Sequence, residues 1–292
     1  MKRLLKWLLG IVISVAILFG GVYLFAKIKY DVNLITLYKQ VNILNENVDE
    51  STMYPNRIVY NEDMASAKDM INAKLPGLVS YDAEADKYTI GETATYDVGL
   101  TNLNLTDRQS GAILETLLKS NEANASVTIS GKKIDMQLIQ VSFVSLDPET
   151  KTVTINIVVK LDLSQVKADF KSFPLSIIAK KVPNSLYISS TVDVKKDDGE
   201  FAYTITSNNL TINKLDAKQT AEFVKALNVL TKIGTSDDLN LTIGEAFVNG
   251  LIGYDNSHKG FAYALKTVGV RDYTFELIDE KVYFVLIPKI LV

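Results

Sequence analysis

A protein that moves protons or attacks carbon near neutral pH usually shows it in histidine and cysteine, and this 292-residue chain has one histidine and no cysteine. His258 lies in Asp255-Asn256-Ser257-His258-Lys259-Gly260, a polar stretch between an expected helix and an expected strand. A triad histidine needs an orienting acid and a nucleophile, so His258 reads as a solvated loop residue. No GxSxG elbow and no GxxxxGK[ST] phosphate loop occurs. The acid pairs Asp197-Asp198 and Asp237-Asp238 lack the alternating oxygen-ligand spacing of a calcium loop and read as solvated turns. Without cysteine there are no disulfides, thiolate zinc sites or cysteine nucleophiles, and one histidine excludes histidine-rich metal sites. A non-enzymatic protein with no cofactor is expected.

Charge and hydropathy then place the chain. Trp7 to Ala26 reads WLLGIVISVAILFGGVYLFA, twenty residues without a formal charge, a length that spans roughly 30 Å as a helix. Lys2, Arg3 and Lys6 precede it and Lys27 and Lys29 follow, which predicts a cytoplasmic N-terminus and a body outside, in a single-pass protein of the cell membrane. The run is longer than the apolar core of a cleaved signal, and Leu24-Phe25-Ala26 offers no small-x-small exit. Taking these five basic residues from the 31 leaves 26 against 34 acidic residues. A body near −8 argues against nucleic acid, whose phosphates need a basic patch, and against simple adhesion to anionic lipid. An exported body without cysteine suits a Gram-positive bacterium.

The elements follow from periodicity. Leu34, Leu37, Tyr38, Val41 and Leu44 predict an amphipathic helix, either packed on the body or extending the anchor as a stalk. A connector is expected over 45–61 and a helix from Glu62 to Leu75, stopped by Pro76-Gly77. Val153, Ile155, Ile157, Val159, Leu161 and Leu163 alternate through a long strand, with similar strands from Ile134 to Leu146 and from Leu186 to Val194. The turn Lys195 to Gly199 leads to Phe201, Tyr203 and Ile205 as a hairpin. Helix starts of capping-box type are expected at Thr106 with Gln109, Asp216 with Gln219 and Thr242 with Glu245. Each precedes an apolar i, i+1, i+4 set, and the equal spacing after Thr106 and Asp216 makes those two a possible strand-to-helix repeat. Phe261, Tyr263 and Leu265 alternate as a strand, and Tyr273, Phe275 and Leu277 pair with Val282 to Ile287. The fold class is α+β: an N-terminal transmembrane helix, then a body of long, mostly antiparallel strands packed with amphipathic helices. It divides into a tip and anchor (1–30), a juxtamembrane helix and connector (31–61) and an extracytoplasmic domain (62–292).

The membrane helix, the L-x-x-x-Q of Leu105 to Gln109 entering a helix to Leu118, and the long strands ending in a hairpin that opens at Pro183 and runs to Ile212 resemble the YpmS-type membrane-anchored proteins of Gram-positive bacteria. More distantly they are similar to tubular lipid-binding domains. The resemblance covers roughly 101–230 and implies a long curled sheet around a helix, an apolar cavity and a role in binding or moving envelope lipid. It carries over no catalytic residue. The ligand would be a membrane lipid or apolar small molecule, held by the strand faces of Val153, Ile155, Ile157, Val159, Leu186, Ile188, Phe201, Tyr203 and Ile205. The alternative is an envelope scaffold that binds another membrane protein.

Overall fold

Alternating apolar residues build the centre of the molecule. In the computed structural model, which describes residues 34–91, 102–120, 126–129, 132–164, 183–231 and 234–288, the strand begun by Val153 is β6 (Thr152–Asp162), paired on both sides. With β4 (Ser126–Ile129), β5 (Lys132–Asp147), β7 (Ser185–Lys196) and β8 (Tyr203–Ile212) it forms a five-stranded antiparallel meander in chain order. The apolar run Trp7 to Ala26 lies outside the described residues, and among these no helix is long and apolar enough to cross a membrane. A three-stranded antiparallel sheet orders β3 (Leu103–Leu105), β10 (Lys281–Pro288) and β9 (Val270–Ile278), and β1 (Val79–Asp82) pairs with β2 (Lys87–Ile90). The two hairpins expected at Lys195 to Gly199 and at Asp279 to Lys281 are both present.

Turn chemistry explains the short links. Asp147 accepts at Oδ1 from the Glu149 amide at 3.0 Å and at Oδ2 from the Thr150 hydroxyl at 2.7 Å, a side-chain mimic of a backbone turn. Strand β5 carries one extra residue at Ile139 and another at Val144. The bulge at Ile139 puts an apolar side chain in a second cluster with Tyr54, Val158 and Tyr187, on the face of the sheet opposite the main core.

Seven helices occur among the described residues: α1 (Leu34–Leu44), α2 (Glu50–Met53), α3 (Tyr60–Asn72), α4 (Asp107–Ser120), α5 (Ala217–Thr231), α6 (Ser236–Leu251) and α7 (Phe261–Ala264). The capping exchanges at Thr106 with Gln109 and at Asp216 with Gln219 are both made. The expected start at Thr242 is wrong, and so is the solvated turn at Asp237-Asp238. Thr235 and Asp238 form the capping box seven residues earlier, and Thr242 lies inside α6, donating to the Asp238 carbonyl at 2.7 Å. The earlier start brings Leu239, Ile243, Phe247 and Leu251 onto one buried face and sets both acids at the helix N-terminus, where the dipole favours them. The strand expected at Phe261, Tyr263 and Leu265 is also corrected. These residues form α7 and a 3-10 turn, Leu265–Val268. Gly260 lies against the backbone of Asn249 and Gly253, too close for any Cβ. The chain therefore doubles back on the end of α6, and Tyr263 donates to the Ile252 carbonyl at 2.9 Å.

Helix α1 packs on the body. Val41 and Leu44 are in the main core, and the Leu44 carbonyl accepts from Asn213 Nδ2 at 2.7 Å while Asn213 Oδ1 accepts from the Tyr187 amide at 2.7 Å. One buried amide thus ties the helix to β7. The connector after it contains α2, which no periodicity announces in four residues. Glu50 on α2 accepts from Lys160 Nζ and from the Tyr187 hydroxyl, each at 2.7 Å, and Tyr54 stacks on Tyr187 with centroids 5.7 Å apart.

On the opposite face α6 lies directly on the sheet. Ser190 donates to Asn240 Oδ1 at 2.6 Å, and Asn240 Nδ2 donates to the Thr191 carbonyl at 2.7 Å. Four residues along α6, a Cβ on Gly244 would stand 2.5 Å from Val192 Cγ1. Val192 is β-branched and stiff, so the contact has little room to relax. Gly244→Ala is expected to destabilise the fold by about 1–2 kcal/mol, because overpacking outweighs the roughly 1 kcal/mol that alanine gains over glycine in a helix. Urea unfolding of Gly244→Ala, Val192→Ala and the double variant should show the pair costing less than the sum, and strict additivity would remove the close approach as the cause.

Candidate functional site

The nine side chains expected to hold an apolar ligand separate into three settings. Val153, Ile155, Ile157 and Val159 on β6 and Leu186 and Ile188 on β7 share one sheet face, and each is at most 2% exposed within the main core. Their register sets Val159 opposite Ile188. Tyr203 and Ile205 continue that face onto β8 and are half-buried. The Tyr203 hydroxyl donates to Asn249 Oδ1, and burial pushes its pKa up. Phe201 leaves the strand altogether. It occupies the turn before β8 at φ 56°, its amide donates to Asp272 Oδ1 at 2.7 Å, and its fully buried ring meets Tyr263 edge-on at 5.3 Å. These residues pack on helices and on one another, so the sheet interior they line is filled by the chain itself.

The described residues frame two clefts elsewhere. One, of about 320 Å³, lies between the end of α1 and the start of β7 and is lined largely by amides, among them Asn45, Asn47, Asn184 and Asn213. Asn213 is already committed to Leu44 and Tyr187. The other, of about 380 Å³, lies between α4 and the α7 segment and falls within the usual range for small-molecule sites.

This second cleft is built by the same backbone reversal that overturned the expected strand. Gly253, at φ 69°, and Gly260 let the loop 253–260 return against α6. Phe261 and Leu265 are thereby anchored in the core, while Tyr263 and Ala264 stay closer to the surface. Leu117 on α4 and Ile90 with Gly91, at the end of β2, complete the apolar walls. Gly91 is the last described residue before 92–101. Asn256, Lys259, Lys266 and Thr267 supply polar groups, and among the described residues no acid lines the cleft. Lys266 is paired to Glu200 at 2.7 Å, which holds its ammonium group above the ordinary lysine range. The signals were present in the sequence: Phe261, Ala262 and Leu265 are spaced i, i+1, i+4, the same helical set seen in α6, between two glycines.

His258 sits on the rim loop but makes a local structure. Asp255 Oδ1 accepts from the His258 amide at 2.7 Å and lies 3.0 Å from His258 Nδ1, and the imidazole stacks on Tyr254 at 4.6 Å. Contacts with the His258 side chain and amide, with the Ser257 amide adding to them, hold the Asp255 carboxyl below its usual range against its desolvation. Among the described residues no cluster of three or more histidines and acids could hold a metal.

Among the described residues the most deeply buried acid is Glu115 on α4, whose side chain is 3% exposed. It accepts from the Leu138 amide at 3.0 Å, beside the first bulge of β5, and pairs with Lys119 at 3.2 Å. Desolvation raises its pKa in spite of both partners. A folded-state pKa above the unfolded one means that this group's contribution to stability is whole below about 4.5 and is lost as pH rises through the folded value. Glu115→Gln should therefore flatten the decline in melting temperature between mildly acidic and neutral pH. A thermal series on both forms tests this, and an equal decline in the variant would discharge Glu115 from the effect.

Comparison of the chain with protein-family models, with curated proteins and with solved structures finds no match.

Proposed function

We propose that the chain is a membrane-tethered, non-catalytic protein of the cell envelope that binds an apolar, lipid-like ligand in the cleft between α4 and α7. The observation that carries this reading is the cleft itself: apolar walls from Ile90, Leu117, Tyr263 and Ala264 around about 380 Å³. That volume suits a single acyl chain or a compact apolar molecule better than a whole two-chain lipid. Location supports it too. Leu34, the first described residue, follows Ala26 by eight positions, a span that extended chain covers in at most roughly 30 Å, and α1 is docked on the body. A body held so near a bilayer would meet ligands of this kind there.

A second reading, an interaction module for another envelope protein, is favoured by one surface feature. Val144 and Leu277 are 61% and 62% exposed, and they flank Phe143 and Phe275, whose rings meet at 5.3 Å where the two larger sheets approach. In-cell crosslinking from position 144 or 277 tests it; crosslinks to lipid or to nothing would end it.

For the leading reading, the full-length chain in native membranes is offered a single-chain acyl probe bearing a photoreactive diazirine, and the adducts are mapped by peptide mass spectrometry. Adducts are expected on Leu117 and on the peptide from Lys259 to Lys266. Ala264→Trp fills the cleft from an exposed position without touching the core and should reduce them about tenfold. Adducts confined to residues 7–26, with none on the body, would sink the proposal.

A further inference from the structure

Charge at the cleft is opposite to charge on the rest of the body. Beyond the first thirty residues the chain carries 26 basic against 34 acidic residues, yet the twelve described residues that line the cleft include two lysines and no acid. The two lysines are not equivalent. Lys266 is neutralised by Glu200 and also lies over the rings of Phe201 and Tyr263, at 5.8 and 5.7 Å. Lys259 is exposed on the rim loop, and among the described residues no acid pairs with it.

From this we infer that the cleft selects an amphiphile with one acyl chain and an anionic head, carboxylate or phosphate, with Lys259 reading the head. The inference rests on the apolar-ligand reading above. Ile90, Leu117 and Tyr263, the partly uncovered apolar groups of the lining, take the chain, and the ammonium of Lys259 meets the head at the mouth, where Asn256 offers an amide donor. Lysine suits this place because its ammonium is a compact charge on a flexible stem, able to follow a head that stays in water. A head of either chemistry would leave Lys266 with Glu200, so binding breaks no existing ion pair. The inference does not extend to membrane adhesion, since the acidic body would oppose it.

The test uses the full-length chain in native membranes and three diazirine probes of equal chain length: a fatty acid, a lysophosphatidic acid and a neutral fatty alcohol. Either anionic probe should label the peptide from Lys259 to Lys266 about fivefold more than the alcohol, the scale of one partly solvated charge pair. Excess with the phosphate probe alone identifies a phospholipid-derived ligand, and excess with the carboxylate probe alone a free fatty acid. Lys259→Glu should abolish the excess while the alcohol still labels, and Lys218→Glu, an exposed lysine outside the cleft, should leave it intact. Equal labelling by all three probes, or an excess that survives Lys259→Glu, overturns the head selectivity and leaves the apolar site standing. No labelling of the body by any probe overturns both.

Discussion

The contact between α6 and β7 governs the architecture. A helix can lie this close to a sheet only where one partner has no side chain, and Gly244 provides that place over Val192. Next to it, the buried Ser190 hydroxyl donates to Asn240 Oδ1 and Asn240 Nδ2 donates to the Thr191 carbonyl, so the register of helix on strand is set by polar contacts as well as by apolar area. With α6 seated there, the inner face of β7 and β8 is covered, and the reversal after α6 carries α7 to the position where it walls the cleft. The filled interior and the open cleft are two results of one placement.

Much of this was legible in the sequence, and the parts that were not share a cause. Alternation from Val153 to Leu163 and from Leu186 to Val194 announced the sheet because a face buried along its whole length imposes period two. Thr106 with Gln109 and Asp216 with Gln219 announced two helices because each pair completes its own hydrogen bonds locally. Thr242 with Glu245 carries the same pattern, but Thr235 with Asp238 offers the same exchange earlier and adds a buried face, and tertiary burial decides between equal local choices. The sequence Phe261, Tyr263, Leu265 fits both a strand and, with Ala262, a short helix. What settles it is the close approach of Gly260 to Asn249 and Gly253, a contact that no local period encodes.

The same distinction applies to the site. Apolar strand faces are where ligands and cores look alike, since both need side chains out of water. Strands β6 and β7 spend theirs on the main core. A cleft requires apolar groups that the fold leaves partly uncovered, and here those come from Ile90, Leu117, Tyr263 and Ala264, residues on three separate elements whose proximity is purely tertiary. Lys259 is one lysine among many until the fold sets it beside such a surface.

The buried amide of Asn213 has a mechanical meaning. It bonds at once to the last carbonyl of α1 and to the amide of Tyr187 in β7, and Glu50 repeats the link from α2 to Lys160 and Tyr187. A pull applied at Leu34 is therefore delivered to the middle strands of the large sheet, where it must shear several ladders together, and not to an edge that could peel one residue at a time. Through these two links the first described helix is coupled to the same sheet on which α6 rests, and α6 leads directly into the segment that walls the cleft.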